Sequence, residues 1–184
     1  MSQEFDKYEK LGAYHYDWYN DPNYAWYKEC VDRCVAFCRG STIDLGGGDG
    51  LVANQIAGNK VPVVVLDNDK EAMNICFKNR IPFLRSDLND LEGINGIWEY
   101  ACCLNVIEHL KTPEIVEMFI EHSISKGAII ITDKATDQPG RYHEHEYTEE
   151  ELLDTFKEFK PKYFEIHSTE FGEPITFHGV EILK

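Results

Sequence analysis

Three groups of residues in this chain are of types and spacings that do chemistry. The first is the stretch Thr42 to Ala57, TIDLGGGDGLVANQIA, in which a short apolar run ends in four glycines within five residues and a helix-like pattern follows. The second is Glu108-His109 in LNVIEHL, and the third is His143-Glu144-His145-Glu146 in RYHEHEYT. Glycine-rich strand-to-helix turns usually present backbone N–H groups to phosphate. This one contains no Lys or Arg and carries acids at Asp44 and Asp49. Histidine beside carboxylate is the pairing used for proton transfer and for divalent ions.

The glycine loop excludes two nucleotide classes. A P-loop requires G-x4-G-K-[ST], and there is no Lys in the loop. The dinucleotide pattern G-x-G-x-x-G asks for a third small residue for close helix packing, and counting from Gly46 and Gly48 that position is Leu51. An acidic loop repels a pyrophosphate and attracts a cation.

The elements that must hold these groups alternate along the chain. STIDLG is a buried strand, and Leu51 to Ala57 opens a helix. VPVVVLD is a near-continuous β-branched run, as in a parallel strand covered on both faces. DKEAMNICFKNR is an amphipathic helix with acids first and bases last, matching the helix dipole. IPFLRSD and WEYACCLNV are the third and fourth strands, and Pro113 begins the helix PEIVEMFIEHSI at its first position. GAIIITD is the fifth strand. Thr148 and Glu151 are spaced as a capping box at the head of TEEELLDTFKEF. KYFEIHS and ITFHGVEIL flank the turn TEFGEP as an antiparallel hairpin. This order predicts a doubly wound, Rossmann-like α/β fold: a seven-stranded, mostly parallel sheet with a C-terminal antiparallel hairpin. Residues 1–184 are expected to form one domain, with 1–40 an aromatic-rich helical cap and 41–184 the core. The cap either covers the carboxyl ends of the strands or packs on the sheet.

Composition narrows the partners. A hydrophobic fraction of 43% across 184 residues is that of a folded globular chain, and the net charge of −15 without a Lys/Arg cluster argues against nucleic acid. The charged N-terminus has no apolar signal segment, and no run approaches the ~18 apolar residues of a membrane span, so a soluble cytoplasmic protein is expected. Of the six cysteines, Cys30, Cys34 and Cys38 recur every four residues on one helix face, and Cys102 and Cys103 point to opposite faces of a strand. None has a trusted zinc or iron–sulfur spacing, so all are read as buried thiols.

The spacing Asp44-x-Gly46-x-Gly48-x-Gly50 resembles motif I of the class I S-adenosylmethionine-dependent methyltransferases, D/E-x-G-x-G-x-G. That cofactor carries a sulfonium and an ammonium and no phosphate, which suits an acidic loop. Downstream, Asp67 ends the second strand 23 residues after Asp44, Asp87 follows the third strand in RSDLNDL, and LNVIEHL looks like the VLEHL segment of small-molecule methyltransferases. The resemblance covers Ser41 to Lys184. It implies cofactor contacts from Asp44, Gly46, Gly48 and Gly50, ribose contacts from Asp67 and its neighbour Asn68, adenine contacts from Asp87 and Leu88, and a contact from Asn105 at the end of the fourth strand. Where many relatives have Asp at the start of the fourth strand, this chain has Trp98-Glu99, which keeps the charge.

The resemblance implies S-adenosyl-L-methionine as cofactor, S-adenosyl-L-homocysteine as product, and methyl transfer to O or N of a small-molecule acceptor. Glu108, His109, His143 and His145 are the substrate-facing catalytic candidates, expected to share one cavity. A Glu-x-x-Glu-His segment with a later His binds a divalent ion in small-RNA 3′-end 2′-O-methyltransferases and quinone-biosynthesis O-methyltransferases. Here Asn105 replaces the first Glu, and the lost carboxylate weakens the case for a hard cation, so no metal ligand is assigned. A metal-assisted RNA enzyme and a non-catalytic ligand-binding module stay open as alternatives. His15, His122, His167 and His178 have no partner pattern and default to structural or surface roles. Tyr14, Tyr16, Trp18, Tyr19, Tyr24 and Trp26 are either an aromatic wall for an acceptor or core between cap and sheet.

Overall fold

The computed structural model describes residues 7–91, 94–136 and 143–184. Arg141 and Tyr142 of the histidine-rich segment, and the first six residues of the cap, lie outside them. Seven strands form one sheet in the order β3-β2-β1-β4-β5-β7-β6. They are β1 (Thr42–Leu45), β2 (Val63–Asp67), β3 (Phe83–Arg85), β4 (Trp98–Leu104), β5 (Ile124–Asp133), β6 (Lys162–Glu170) and β7 (Glu173–Leu183). The first five are parallel, and β7 runs antiparallel between β5 and β6. The hairpin turn is Phe171-Gly172, both with positive φ between the paired Glu170 and Glu173, the two-residue geometry that matches strand twist.

Helices cover both faces. Against one lie α3 (Ala25–Phe37), α4 (Leu51–Gly58) and α5 (Lys70–Lys78), packing Cys34, Leu51, Ile56 and Cys76 onto Val65, Cys102 and Ile129. Against the other lie α6 (Glu114–Ser123) and α7 (Glu149–Thr155), packing Val116, Ile120 and Leu152 onto Ile43, Cys103 and Ile130. Adjacent Cys102 and Cys103 thus face opposite cores, as the two-residue period of a strand requires. All six cysteines are free and buried. Burial raises the thiol pKa values of Cys30, Cys34, Cys76 and Cys103, which keeps those four uncharged.

Two boundaries differ from the sequence reading. Strand β5 begins at Ile124, itself the C-cap of α6, because Ile124 already sits in the ladder opposite Trp98. Pro113 occupies the N-cap of α6 with helical φ and ψ, one residue before its expected place. The capping box of α7 forms in full: the Glu151 N–H donates to Thr148 Oγ1, and the Thr148 N–H donates to Glu151 Oε2.

The N-terminal segment divides between the sheet and a cavity. Helix α3 packs on the sheet, while α1 (Lys7–Leu11) and α2 (Tyr14–Asn20) place Tyr8, Tyr14, His15 and Trp18 in the wall of a cavity at the carboxyl ends of the parallel strands. Among the described residues, no helix is long and apolar enough to cross a membrane.

Candidate functional site

The cavity has a volume of about 1050 Å³ and opens beyond the carboxyl ends of the adjacent strands β1 and β4, the switch point at which doubly wound sheets bind ligands. Its floor is the glycine loop. Gly46 (φ +66°) lines the cavity, and a Cβ there would lie 2.6 Å from the Val106 side chain, so the loop approaches the segment after β4 as only glycine permits. Gly48 (φ +52°) lies beneath the Tyr8 hydroxyl, and Gly50 caps α4 in a left-handed conformation. Beneath the loop, Asp44 is buried and accepts from the Cys102 thiol, and its burial pushes its pKa up to about 7.

Asp67 stands at the tip of β2. The Gly48 N–H donates to its Oδ2 (3.0 Å) and the Asp69 N–H to its Oδ1 (2.9 Å). Each carboxylate oxygen keeps a lone pair for a ligand hydroxyl. Burial raises its pKa above the ordinary carboxylate value. Asn68 and Asp87 are exposed at the cavity rim, with Asp87 Oδ1 accepting from both nitrogens of Asn89, and Leu88 is buried beside them. Asn105 adopts φ +53°, a left-handed value that places its side chain in the cavity wall, and its Oδ1 is buried without a hydrogen-bond partner among the described residues. Of the nine residues expected at a cofactor, seven line this cavity; Gly48 and Gly50 shape the loop behind it.

The histidines divide. Glu108 and His109 form a 3₁₀ turn after β4, and His143 approaches them from the segment after β5; the two rings are 5.0 Å apart. Ligand atoms of Glu108, His109 and His143 all lie within 4.8 Å of one another. His143 is clamped: Nδ1 is 2.7 Å from Glu146 Oε1 and Nε2 is 3.3 Å from Asp133 Oδ2. Glu108 is fully buried, Oε2 accepts from Thr132 Oγ1 at 2.9 Å, and Oε1 has no partner among the described residues. Burial and the neighbouring Asp133 push the Glu108 pKa up to about 8, and burial likewise raises Asp133 to about 6.

His145 does not share this cavity, contrary to the sequence expectation. The N–H groups of Glu144 and His145 both donate to the Glu108 carbonyl, and that turn sends the His145 ring outward, half-exposed, 3.5 Å from Glu151. Trp98-Glu99 lies far from the cavity mouth, at the amino end of β4, where Glu99 Oε2 accepts from the Ser41 N–H and Glu99 pairs with Lys126.

Sequence reasoning missed His15, Asp133 and Glu170, all of which line the cavity. His15 is no surface histidine: its ring stacks on Tyr27 and meets Asp49. His178 is fully buried in β7 beside Tyr163, and burial lowers its pKa to about 4. Asp133 ends a parallel strand as Asp67 does, and that shared position was the available signal. His15 and Glu170 had none, since their places depend on distant packing.

No protein-family model matches the chain, and no curated protein matches it. Solved structures do resemble it. Magnesium protoporphyrin IX methyltransferase (ChlM) from Synechocystis PCC 6803, with bound SAH, superposes at a TM-score of 0.75 with 14% identity, covering 97% of each chain. The DhpI–SAM–HEP complex gives a TM-score of 0.67 with 14% identity over 95% of this chain and 94% of that one. The methyltransferase domain of bacterial CtHen1-C gives 0.63 with 18% identity over 85% of this chain and 95% of that one. At these TM-scores the chain has the fold of the class I S-adenosylmethionine-dependent methyltransferases.

Proposed function

We propose that this chain is an S-adenosylmethionine-dependent methyltransferase acting at O or N of a small-molecule acceptor. The observation that carries the reading is the convergence of Asp67, Asp87, Leu88, Asn105 and the acidic glycine loop on one cavity. The donor set fits the cofactor: carboxylate oxygens for its hydroxyl and ammonium groups, an orphaned Asn105 Oδ1, and Leu88 as an apolar face for a base. When bound, the cofactor supplies an electrophilic methyl group on sulfonium. The chain's part is to align the acceptor and keep the reacting centre dry, and alignment alone can be worth ~7–11 kcal/mol. The aromatic cap over the glycine loop serves the second task.

The test is release of S-adenosylhomocysteine over a panel of O and N acceptors, by wild type and Asp67→Ala. Turnover lost in the variant supports the enzyme reading. A biological role that survives Asp67→Ala favours the non-catalytic binding module.

A second reading, metal-assisted 2′-O-methylation of an RNA 3′ end, rests on the spacing of Glu108, His109 and His143. Those three residues would hold a divalent ion, with Glu146 orienting His143 through Nδ1. Against it stand Asn105 in place of a carboxylate and an acidic cavity that repels phosphodiesters. Turnover insensitive to EDTA removes this reading.

A further inference from the structure

The cavity is longer than its cofactor cradle. Residues of the cradle come from β1, β2 and the loops after β3 and β4, whereas a second stretch of wall is built on β5, β7 and β6. That second wall is contiguous. Glu108 reaches Thr132 on β5; the next residue, Asp133, lies in register with Phe177 on β7. Trp26 stacks on Phe177 at 4.3 Å, and its Nε1 donates to Glu170 Oε1 at 3.2 Å. The wall thus sets three carboxyl groups against two stacked aromatic faces.

One atom points to a ligand. Glu108 Oε1 is buried in this wall without a partner among the described residues, and a buried acceptor left so costs about 1–3 kcal/mol unless something donates to it. A cation with N–H groups satisfies that acceptor and the neighbouring Asp133 together, with the stacked Trp26–Phe177 pair in the same wall. An anionic acceptor meets repulsion from Asp133 and Glu170. A metal ion competes poorly for His143, whose two nitrogens already face Glu146 and Asp133.

On the methyltransferase reading above, on which this inference rests, we propose that the acceptor is an organic amine, its nitrogen held by Glu108 and Asp133 and its apolar body against Trp26 and Phe177. The amine enters as its ammonium and loses one N–H proton to water. The nitrogen lone pair then forms the N–C bond while the methyl C–S bond breaks, its electron pair staying on sulfur. The product leaves as an N-methylated ammonium.

The test uses the full chain loaded with S-adenosylhomocysteine and three probes: 2-phenylethylamine, neutral 2-phenylethanol and anionic 3-phenylpropanoate. Calorimetry is expected to give the amine an affinity at least about tenfold above the alcohol, with the carboxylate weakest. Asp133→Asn, and separately Glu170→Gln, should cut that preference several-fold while S-adenosylhomocysteine binding stays within about twofold of wild type. The proposal is overturned by amine binding that is absent or no tighter than the alcohol's, by an unchanged preference in both variants, or by stoichiometric Mn²⁺ binding that expels the amine. The S-adenosylhomocysteine titration is a separate arm. Its failure strikes the cofactor reading, whereas amine selectivity is scored independently on the unloaded chain.

Discussion

His15 and Asp49 join the N-terminal cap to the glycine loop. The His15 backbone N–H donates to Asp49 Oδ2 at 3.1 Å, and its ring Nδ1 lies 3.1 Å from Oδ1. Asp49 is wholly buried, and its Oδ1 also accepts from the Leu51 N–H at the start of α4. One carboxylate therefore ties the lid of the cavity to its floor.

His15→Ala removes the ring contact and its stacking on Tyr27 while leaving the backbone bond intact. We expect a stability loss of about 1–2 kcal/mol by urea unfolding and several-fold weaker S-adenosylhomocysteine binding. Stability and affinity both at wild-type values would show that the latch holds nothing.

Gly48→Ala tests the seat of Tyr8. The added Cβ would fall 1.8 Å from the Tyr8 hydroxyl, at a φ of +52° that costs an alanine about 1–2 kcal/mol. Helix α1 should lift from the loop, so tryptic cleavage after Lys10 should accelerate relative to wild type. An unchanged cleavage rate would place Tyr8 elsewhere.

Glu108 makes stability depend on pH in a definite direction. Its folded pKa of about 8 lies above its ordinary value of 4.5, so the folded state binds the proton more tightly. Its contribution is fully present below the unfolded pKa and is lost as pH rises towards 8. Glu108→Gln, neutral at every pH and still able to accept from Thr132, should match wild type near pH 4.5 and exceed it at pH 8 by on the order of a few kcal/mol. Chemical unfolding in EDTA at several pH values reads this. Parallel curves for the two proteins would mean that Glu108 is ionised and stabilised in the fold.

Much of the fold was legible because its signals are local. Val63–Val65 is continuously β-branched, Thr148 and Glu151 cap α7, and Phe171-Gly172 turns the hairpin. The glycine-loop half of the cavity was legible for the same reason, since Asp44 to Gly50 is one turn and Asp67 is a strand tip. The rest depends on contacts distant in sequence. His15 meets Asp49 across 34 residues, and Trp26 meets Glu170 across 144. No periodicity encodes either. His143 and His145 stand two residues apart in a segment that is neither helix nor strand, so their directions are set by two N–H groups converging on the Glu108 carbonyl.

The most direct measurement is a calorimetric titration of the purified chain with S-adenosylmethionine and S-adenosylhomocysteine, beside Asp67→Ala. One site per chain with micromolar affinity is expected, weakened at least about tenfold in the variant, which loses the hydrogen bonds proposed for Asp67 to ribose hydroxyls. Absence of binding by both ligands, or equal binding by Asp67→Ala, would contradict it.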